Sequence, residues 1–341
     1  MKQFSFLLLF VAGAFAAKAQ TDKEPYLVKS LSNESIKEVE ARTSGGSISV
    51  TGGTSNSRIE VYVTNNNGKS LSKDEVKQRL DELYNLDIAV SGGKLSAIAK
   101  SKENIRDWKK ALNIAFRVYV GSNVSTDLST SGGSIHLENL SGSQKFSTSG
   151  GSLHLAKLSG RIDGATSGGS IHLEDSKDNI DLRTSGGSIE ASNCSGTLRL
   201  ATSGGSLDLN NLKGSIRATT SGGSVKGESI DGELEAHTSG GNVDLDNLTC
   251  SLETSTSGGN IDVSFASLGK YVKIGNSAGS VRLSLPKGKG LDLDLSGDIA
   301  NTSFENFSGR IDDRSVRGKL NGGGIPVTVD ANSGRIRLEL K

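Results

Sequence analysis

Three of the four histidines recur at a constant interval. His136, His154 and His172 lie 18 residues apart, each after Ile or Leu and before Leu. In a stacked repeat they would form a row of imidazoles on the surface, which predicts a transition-metal site or a pH-responsive surface. Duplication of one surface histidine along with its repeat explains the same spacing, and no carboxylate or cysteine completes an obvious tetrahedral ligand set. Both interpretations remain open.

A second candidate group consists of three aspartates. Asp244 and Asp262 take the same repeat position as the histidines, and Asp246 lies two residues after Asp244. Carboxylate oxygens at this spacing suit Ca²⁺. Carbohydrate lyases built on β-helices use comparable clusters, so this group is the best argument for an enzyme. However, no Arg or Lys base converges on it, and Lys226 is better placed to pair with Asp208 and Asp244, as on a solvated charged face.

Other catalytic and cofactor chemistries lack their motifs. His237 has no Gly-x-Ser-x-Gly turn nearby, which a serine nucleophile of the hydrolase type would use. The glycine-rich turns precede no helix, and Gly-x-x-x-x-Gly-Lys-(Ser/Thr) is absent, so they are not phosphate-binding loops. The sequence therefore predicts no catalytic residue and no cofactor.

The elements that would position these side chains come from an internal repeat. Thr-Ser-Gly-Gly-(Ser/Asn) begins at eight sites spaced by 18 residues, namely Thr130, Thr148, Thr166, Thr184, Thr202, Thr220, Thr238 and Thr256. If this Thr is position 1, positions 6 and 8, and again 15 and 17, are mostly apolar, as in strands with one buried face. Each repeat thus predicts one coil of an all-β solenoid, with two or three strands.

The glycine pair that recurs in every repeat predicts the backbone conformation at one corner of the coil. The Gly pair at positions 3 and 4 predicts a tight corner that needs positive φ or a close approach of neighbouring chains. The Thr and Ser beside it are expected to form hydroxyl ladders along that corner. Since one coil cannot bury a core alone, the stability of the stack is collective, and its ends require caps.

The less regular ends are predicted to supply those caps. Residues 20–127 are expected to form an N-terminal cap and the first strands, with a helix near 73–86 that Ser72 begins. Regular coils follow over residues 128–276, and irregular coils with a C-terminal cap over 277–341. An earlier copy of the motif lies at Thr43 to Ser47, and a degraded copy lies at Asn276 to Ser280.

The N-terminus predicts export. Lys2, an apolar stretch and Ala17-Lys18-Ala19 form a signal peptide over residues 1–19, with cleavage before Gln20. No later segment is apolar enough to span a membrane, so the mature chain is expected in the periplasm, on the outer-membrane surface or outside the cell. Its charge balance, near zero, and its few aromatics argue against nucleic-acid binding.

The repeated Thr-Ser-Gly-Gly-(Ser/Asn)-Ile-x-Leu after a signal peptide resembles bacterial "putative adhesin" domains of unknown function. It is also similar to the allied "head GIN" domains, which resemble auto-transporter adhesins. The resemblance covers about residues 35–341, including the final Ser-Gly-Arg-Ile-Arg-Leu, and implies a right-handed parallel β-helix.

The sequence therefore predicts an exported, non-enzymatic, adhesin-like β-solenoid that acts as a scaffold or binding protein of the cell envelope or surface. An envelope glycan or protein is the expected partner. The alternatives are a carbohydrate-active β-helix enzyme, either a lyase or a hydrolase, and a self-associating structural rod, which the open ends of a solenoid would permit.

Overall fold

The computed structural model describes residues 24–66, 71–102, 109–300 and 304–341. It is an all-β solenoid of about nine turns, with 64% strand and 4% helix. Within the described ranges, no helix has the length and apolar character needed to cross a membrane. The predicted signal peptide and its cleavage site before Gln20 lie outside the described residues.

The N-terminal part combines seven strands with one helix. In chain order these are β1 Leu27–Ser30, β2 Glu38–Thr43, β3 Ile48–Thr51, β4 Arg58–Asn65, α1 Lys73–Leu83, β5 Tyr84–Ser91, β6 Lys94–Ser101 and β7 Leu112–Tyr119.

The regular coils alternate a long and a short strand. The long strands are β8 Ser125–Thr130, β10 Ser141–Thr148, β12 Ser159–Thr166, β14 Lys177–Thr184, β16 Ser195–Ala201, β18 Lys213–Thr219 and β20 Asp231–His237. The short strands are β9 Ile135–Glu138, β11 Leu153–Ala156, β13 Ile171–Glu174, β15 Ile189–Ser192, β17 Leu207–Asn210 and β19 Val225–Glu228. Each coil therefore has two strands, a choice that the repeat pattern left open.

Within the described residues, the C-terminal part contains seven strands. They are β21 Val243–Thr256, β22 Ile261–Asn276, β23 Val281–Leu285, β24 Leu291–Ile299, β25 Phe307–Asp312, β26 Ser315–Leu320 and β27 Ile325–Leu340. Of these, β21, β22 and β27 are long, with 14, 16 and 16 residues.

The coils stack in parallel and in the register that the repeat predicts. Thr148 pairs with Thr166 in the long strands, and Leu153 pairs with Ile171 in the short strands. Side chains alternate between core and solvent along each strand, so that Leu153 and Leu155 are buried while His154 between them is exposed. The inward rows form one continuous aliphatic core along the axis, with identical positions about 4.8 Å apart.

The first corner of each coil depends on both the threonine and the second glycine. Thr166 Oγ1 donates to the carbonyl of Gly151 in the preceding coil at 2.8 Å and accepts from the amide of Gly169 at 3.3 Å. A Cβ on Gly169 would collide with the Gly151 carbonyl, so this glycine is required by close approach of the backbone. The threonines of the hydroxyl ladder predicted at this corner are therefore buried, and their hydroxyls bond to backbone.

Positive φ occurs instead at the second corner. Position 10 adopts the left-handed conformation in successive coils, with φ of 54° at Asn193 and 51° at Asn211. Asn tolerates this region better than most residues. Asn211 Nδ2 donates to Asn193 Oδ1 at 2.8 Å, so the side chains at this corner also link neighbouring coils.

At the N-terminal end of the stack, the spatial order of the strands differs from their order in the sequence. β2 pairs with both β6 and β8, and β3 pairs with both β7 and β9. The first Thr-Ser-Gly-Gly copy thus forms the coil next to β8 and β9, with Thr43 beside Thr130 and Ile48 beside Ile135. The later strands β6 and β7 lie outside it. Antiparallel β5, β4 and β1 complete that end.

The helix α1 belongs to this N-terminal end. Ser72 Oγ accepts a hydrogen bond from the Glu75 amide at 3.2 Å, the N-cap that the sequence predicted. Val76 and Leu80 form its buried face. The helix ends at Leu83, earlier than the predicted residue 86, because Tyr84 already has extended backbone and begins β5.

The C-terminal end has the same arrangement in reverse. The last strand, β27, pairs with β22 and β23 on one side and with β24 on the other. The final coil therefore inserts beneath a strand that precedes it in the sequence. Antiparallel β26 and β25 lie beyond β24 and complete this end.

Candidate functional site

Both predicted groups of site residues lie on one surface of the rod. We define the short-strand face as the outward side chains of the short strands and of their equivalents in β3, β7, β21, β22, β23 and β27. Position 7 runs along the middle of this face. Because the strands pair in register, the histidines and then the aspartates follow one another in this row.

The three histidines form a stacked ladder, as their spacing predicted. The ring centroids of His136 and His154 are 4.6 Å apart with an interplanar angle of 8°, and those of His154 and His172 are 5.0 Å apart at 9°. Parallel strands hold them face to face because each ring continues the same position of the next coil. The ring edges, which carry the nitrogens, are thus repeated at the coil spacing.

Charged neighbours border the ladder at both ends. Arg117 pairs in register with Ser49, which pairs with His136. At the other end, His172 Nδ1 lies 2.9 Å from Glu190 Oε2. Glu138 and Glu174 join the same open groove of about 390 Å³. The groove therefore offers both imidazole nitrogens and carboxylate oxygens to a polar ligand.

The surroundings make two of the imidazoles less basic. Burial lowers the pKa of His136, and the neighbouring His154 and Arg117 lower it further. Burial and the adjacent His172 ring lower the pKa of His154 in the same way. Since both shifts disfavour the imidazolium, a positive charge on the ladder is opposed by the stack itself.

The stacking distance bears on the metal-site prediction. Two nitrogens bound to one tetrahedral zinc lie roughly 3.4 Å apart, given Zn–N bonds of about 2.1 Å. Parallel rings 4.6 Å apart would have to tilt toward each other to share such an ion. Across the described ranges, no group of three or more His, Cys, Asp or Glu is arranged to hold a metal ion.

The three predicted aspartates are brought together, but two of them have other partners. Asp244 and Asp262 are register neighbours in β21 and β22. Asp262 Oδ2 accepts from Arg282 Nη1 at 2.5 Å. Asp246 accepts from the hydroxyl of Ser264 in the next coil. The carboxylates therefore link successive coils at these two points.

Reasoning from the sequence missed an arginine group at the C-terminal end of the face. Arg282 pairs in register with Arg337, and Arg335 lies on the same side of β27. They line a groove of about 330 Å³ together with Asn260, Asp262 and Ser280. The final Ser-Gly-Arg-Ile-Arg-Leu shows two of these arginines in the sequence, but its spacing did not show which coil they contact.

The opposite surface, formed by the long strands, holds a further histidine. His237 Nδ1 lies 2.8 Å from Ser255 Oγ, and its Nε2 lies 3.1 Å from Glu235 Oε1. Acyl transfer by such a serine also needs donors for an oxyanion. Ser255 lies within a sheet that is paired on both sides, with His237 and Gly275 as its register neighbours. The contacts therefore link strands more readily than they activate a nucleophile.

Opposite charges on this long-strand face are paired from coil to coil. Arg217 Nη1 lies 2.9 Å from Glu235 Oε2, and Lys273 Nζ lies 2.7 Å from Glu253 Oε1. Arg199 and Asp181 approach to 4.0 Å. These pairs favour the correct stacking register, because opposite charges on neighbouring strands attract each other.

The second half of the solenoid is similar in sequence to a known domain family. The Toastrack DUF4097 family matches residues 174–339. This segment resembles a Toastrack DUF4097 domain. The Toastrack match contains the aspartate and arginine groups and begins just after the histidine ladder. The relation to "head GIN" domains stays a prediction.

Three solved structures are similar to the chain. A "putative cell adhesion protein" from Clostridium sporogenes is 9% identical, with 92% of this chain and 98% of that chain covered and a TM-score of 0.18. A "putative lipid binding protein" from Parabacteroides distasonis is 12% identical, with 93% and 98% covered and a TM-score of 0.32. A "putative adhesin" from Bacteroides fragilis is 11% identical, with 92% and 96% covered and a TM-score of 0.26. No curated protein matches the chain.

Proposed function

We propose that the chain is an exported, adhesin-like β-solenoid that binds or spaces components of the cell envelope or surface without catalysing a reaction. The observation that carries this proposal is the order of the short-strand face. Its imidazoles, carboxylates and guanidiniums are distributed in rows over many coils. Catalysis requires a few unlike groups that converge at one place with pKa values set apart, whereas rows suit an extended ligand.

The resemblance to adhesin-like domains and the predicted signal peptide support the proposed location. Export would leave a mature chain that starts at Gln20 and carries no lipid, since no cysteine lies near the cleavage motif. The intact mass of protein isolated from the envelope or medium tests this part. A mass that retains residues 1–19, or one that includes acyl chains, would contradict it.

Binding is tested with the purified mature protein as bait in an envelope extract. The proposal expects retention of a glycan or protein component by the wild type. A variant with His136, His154 and His172 changed to Gln, and one with Asp244 and Asp262 changed to Asn, report which part of the face is used. Retention of no component, or equal retention by a bait of unrelated fold, would contradict a binding function.

A self-associating rod is a second candidate, and exposed apolar residues favour it. In the described part of the chain, the large hydrophobic residues that are exposed are Leu27, Val28 and Ile311. They lie in β1 and β25, the outermost strands at opposite ends of the stack. Such edges can pair with another chain. Sedimentation velocity of the wild type and of Val28→Lys would show concentration-dependent association that the substitution abolishes.

A further inference from the structure

We infer that the arginine end of the short-strand face binds the acidic groups of a polysaccharide, through the side chains of Arg282, Arg335 and Arg337. This inference rests on the proposed binding function and names its ligand class. The acidic group is a carboxylate or a sulfate ester, because a guanidinium recognises both through paired N–H donors.

Two arginines with like charge lie side by side here, and only one of them has a carboxylate partner in the part of the chain that the structure describes. Arg282 and Arg337 are direct register neighbours, and like charges in that relation are destabilising. On the long-strand face, Arg199 and Arg217 are also register neighbours, but each has a carboxylate in the adjoining coil. Arg337 has no such carboxylate among the described residues and is exposed. A bound anion between Arg282 and Arg337 would remove the repulsion.

The two arginines beside Arg337 already have carboxylate partners. Arg282 pairs with Asp262 at 2.5 Å, and Arg335 pairs with Asp298 at 3.3 Å. Side chains held in this way lose less conformational freedom when a ligand binds. Among the residues that the structure describes, Arg337 is the one of these three arginines without a carboxylate partner, so its donors can take a new anion.

Neutral polar groups and carboxylates surround the three arginines. Asn260 and Ser280 line the same groove of about 330 Å³ and supply neutral polar groups that suit sugar hydroxyls. Asp262, Asp298 and Glu339 lie beside the arginines, and they would repel the closely spaced phosphates of a nucleic acid. A polymer with sparser charges and many hydroxyls therefore fits better than DNA or RNA.

The test measures binding of the purified full chain to polygalacturonate, dextran sulfate, neutral dextran and duplex DNA. We expect binding to at least one acidic polysaccharide, weakened by salt because the contact is exposed. Arg337→Gln should weaken it about ten-fold, a change typical for loss of a charge-assisted contact. Arg337→Lys should retain part of the affinity, since it keeps the charge but loses the planar donor pair. Arg199→Gln, an arginine on the opposite face, is the matched control and should bind as the wild type does.

The outcomes separate this inference from the proposed function. Equal binding of wild type and Arg337→Gln, with unchanged melting temperatures, overturns the arginine site but leaves a binding function elsewhere on the face. Equal binding to neutral dextran overturns the requirement for an acidic group. DNA binding as tight as that of the acidic polysaccharides overturns the choice of polymer. Loss of binding in both Arg337→Gln and Arg199→Gln would show a general charge effect and would also overturn the site.

Discussion

Thr130 Oγ1 donates a hydrogen bond of 2.9 Å to the carbonyl oxygen of Gly46, a residue 84 positions earlier in the chain. The same bond joins neighbouring regular coils, where the partners are only 15 residues apart, as in Thr166 and Gly151. The corner at Thr130 therefore has the same design as the corners of the regular coils, although its two parts are far apart in sequence. Because the threonine is buried, its hydroxyl stabilises the corner rather than serving as a surface group.

The threonine contact predicts a stability loss on Thr166→Val. Valine has nearly the same shape but leaves the Gly151 carbonyl and the Gly169 amide without their hydroxyl partner. An unsatisfied buried polar group costs about 1–3 kcal/mol, so the urea midpoint should fall clearly. Thr166→Ser retains the hydroxyl and should lose less. If Thr166→Val and the exposed Ser167→Ala unfold at the same urea concentration, the corner bond does not stabilise the coil.

The two adjacent glycines are predicted to differ in how much stability an alanine substitution costs. Gly169→Ala places a methyl group against the Gly151 carbonyl, whereas on Gly168 the nearest atom, the Ser149 carbonyl oxygen, is 3.6 Å away. We expect Gly169→Ala to lower stability by about 1–3 kcal/mol, as overpacking does, and Gly168→Ala to change it little. Thermal unfolding followed by circular dichroism compares them. Similar melting temperatures for the two variants would contradict the close approach at position 4.

These corners show how much of the fold the sequence could predict. The 18-residue solenoid and its inward rows follow from the spacing because stacked coils make the same contacts at every repeat. The order of the ends does not follow, since Thr43 pairs with Thr130 although β4 to β7 lie between them in the sequence and outside this coil in the structure. Spacing also could not distinguish close approach from positive φ, and the structure assigns positive φ to position 10.

The candidate site was also predictable only where its residues belong to the regular repeat. The three histidines lie in consecutive coils, and so do Asp244 and Asp262. The contacts within each of these two groups therefore follow from the repeat. Arg282 and Arg337 meet because β27 inserts next to β23. That contact depends on long-range packing of the C-terminal end, which leaves no periodic signal.

The cysteines are predicted to resist modification in the folded protein. Cys194 and Cys250 are free and buried, and burial raises the pKa of Cys194 to about 11 and that of Cys250 to about 12. Since the thiolate is the reactive form, both should react slowly with iodoacetamide at pH 8. Denaturant without reductant should release two thiols, and Cys194→Ser should release one. Rapid native labelling of either residue would contradict their burial.

The histidine ladder predicts a pH-dependent loss of stability. The pKa of His136 and of His154 is lowered in the folded chain, mainly by burial. As pH falls below the unfolded value, about 6.5, the unfolded chain takes up protons first. Stability is therefore present above that pH and decreases as pH falls toward the lowered folded values. The melting temperature should fall more between pH 7 and pH 5 in the wild type than in a variant with His136, His154 and His172 changed to Gln.

A neutral substitution on the same face supplies the control for this measurement. Asn210→Gln alters an exposed side chain of β17 and should keep the pH dependence of the wild type. The account of the ladder would be refuted by a histidine variant whose melting temperature falls with pH as steeply as that of the wild type.

The proposed function requires that the short-strand face binds a polysaccharide without cleaving it, so the length of a bound polysaccharide is the quantity to measure. The wild type is incubated with polygalacturonate or with glycan extracted from the envelope, and polymer size is followed by size-exclusion chromatography with light scattering. We predict that the polymer keeps its length throughout while protein elutes with it. Shortening by the wild type that is abolished by Asp244→Asn with Asp262→Asn, at an unchanged melting temperature, would contradict the proposed function and identify a lyase or hydrolase.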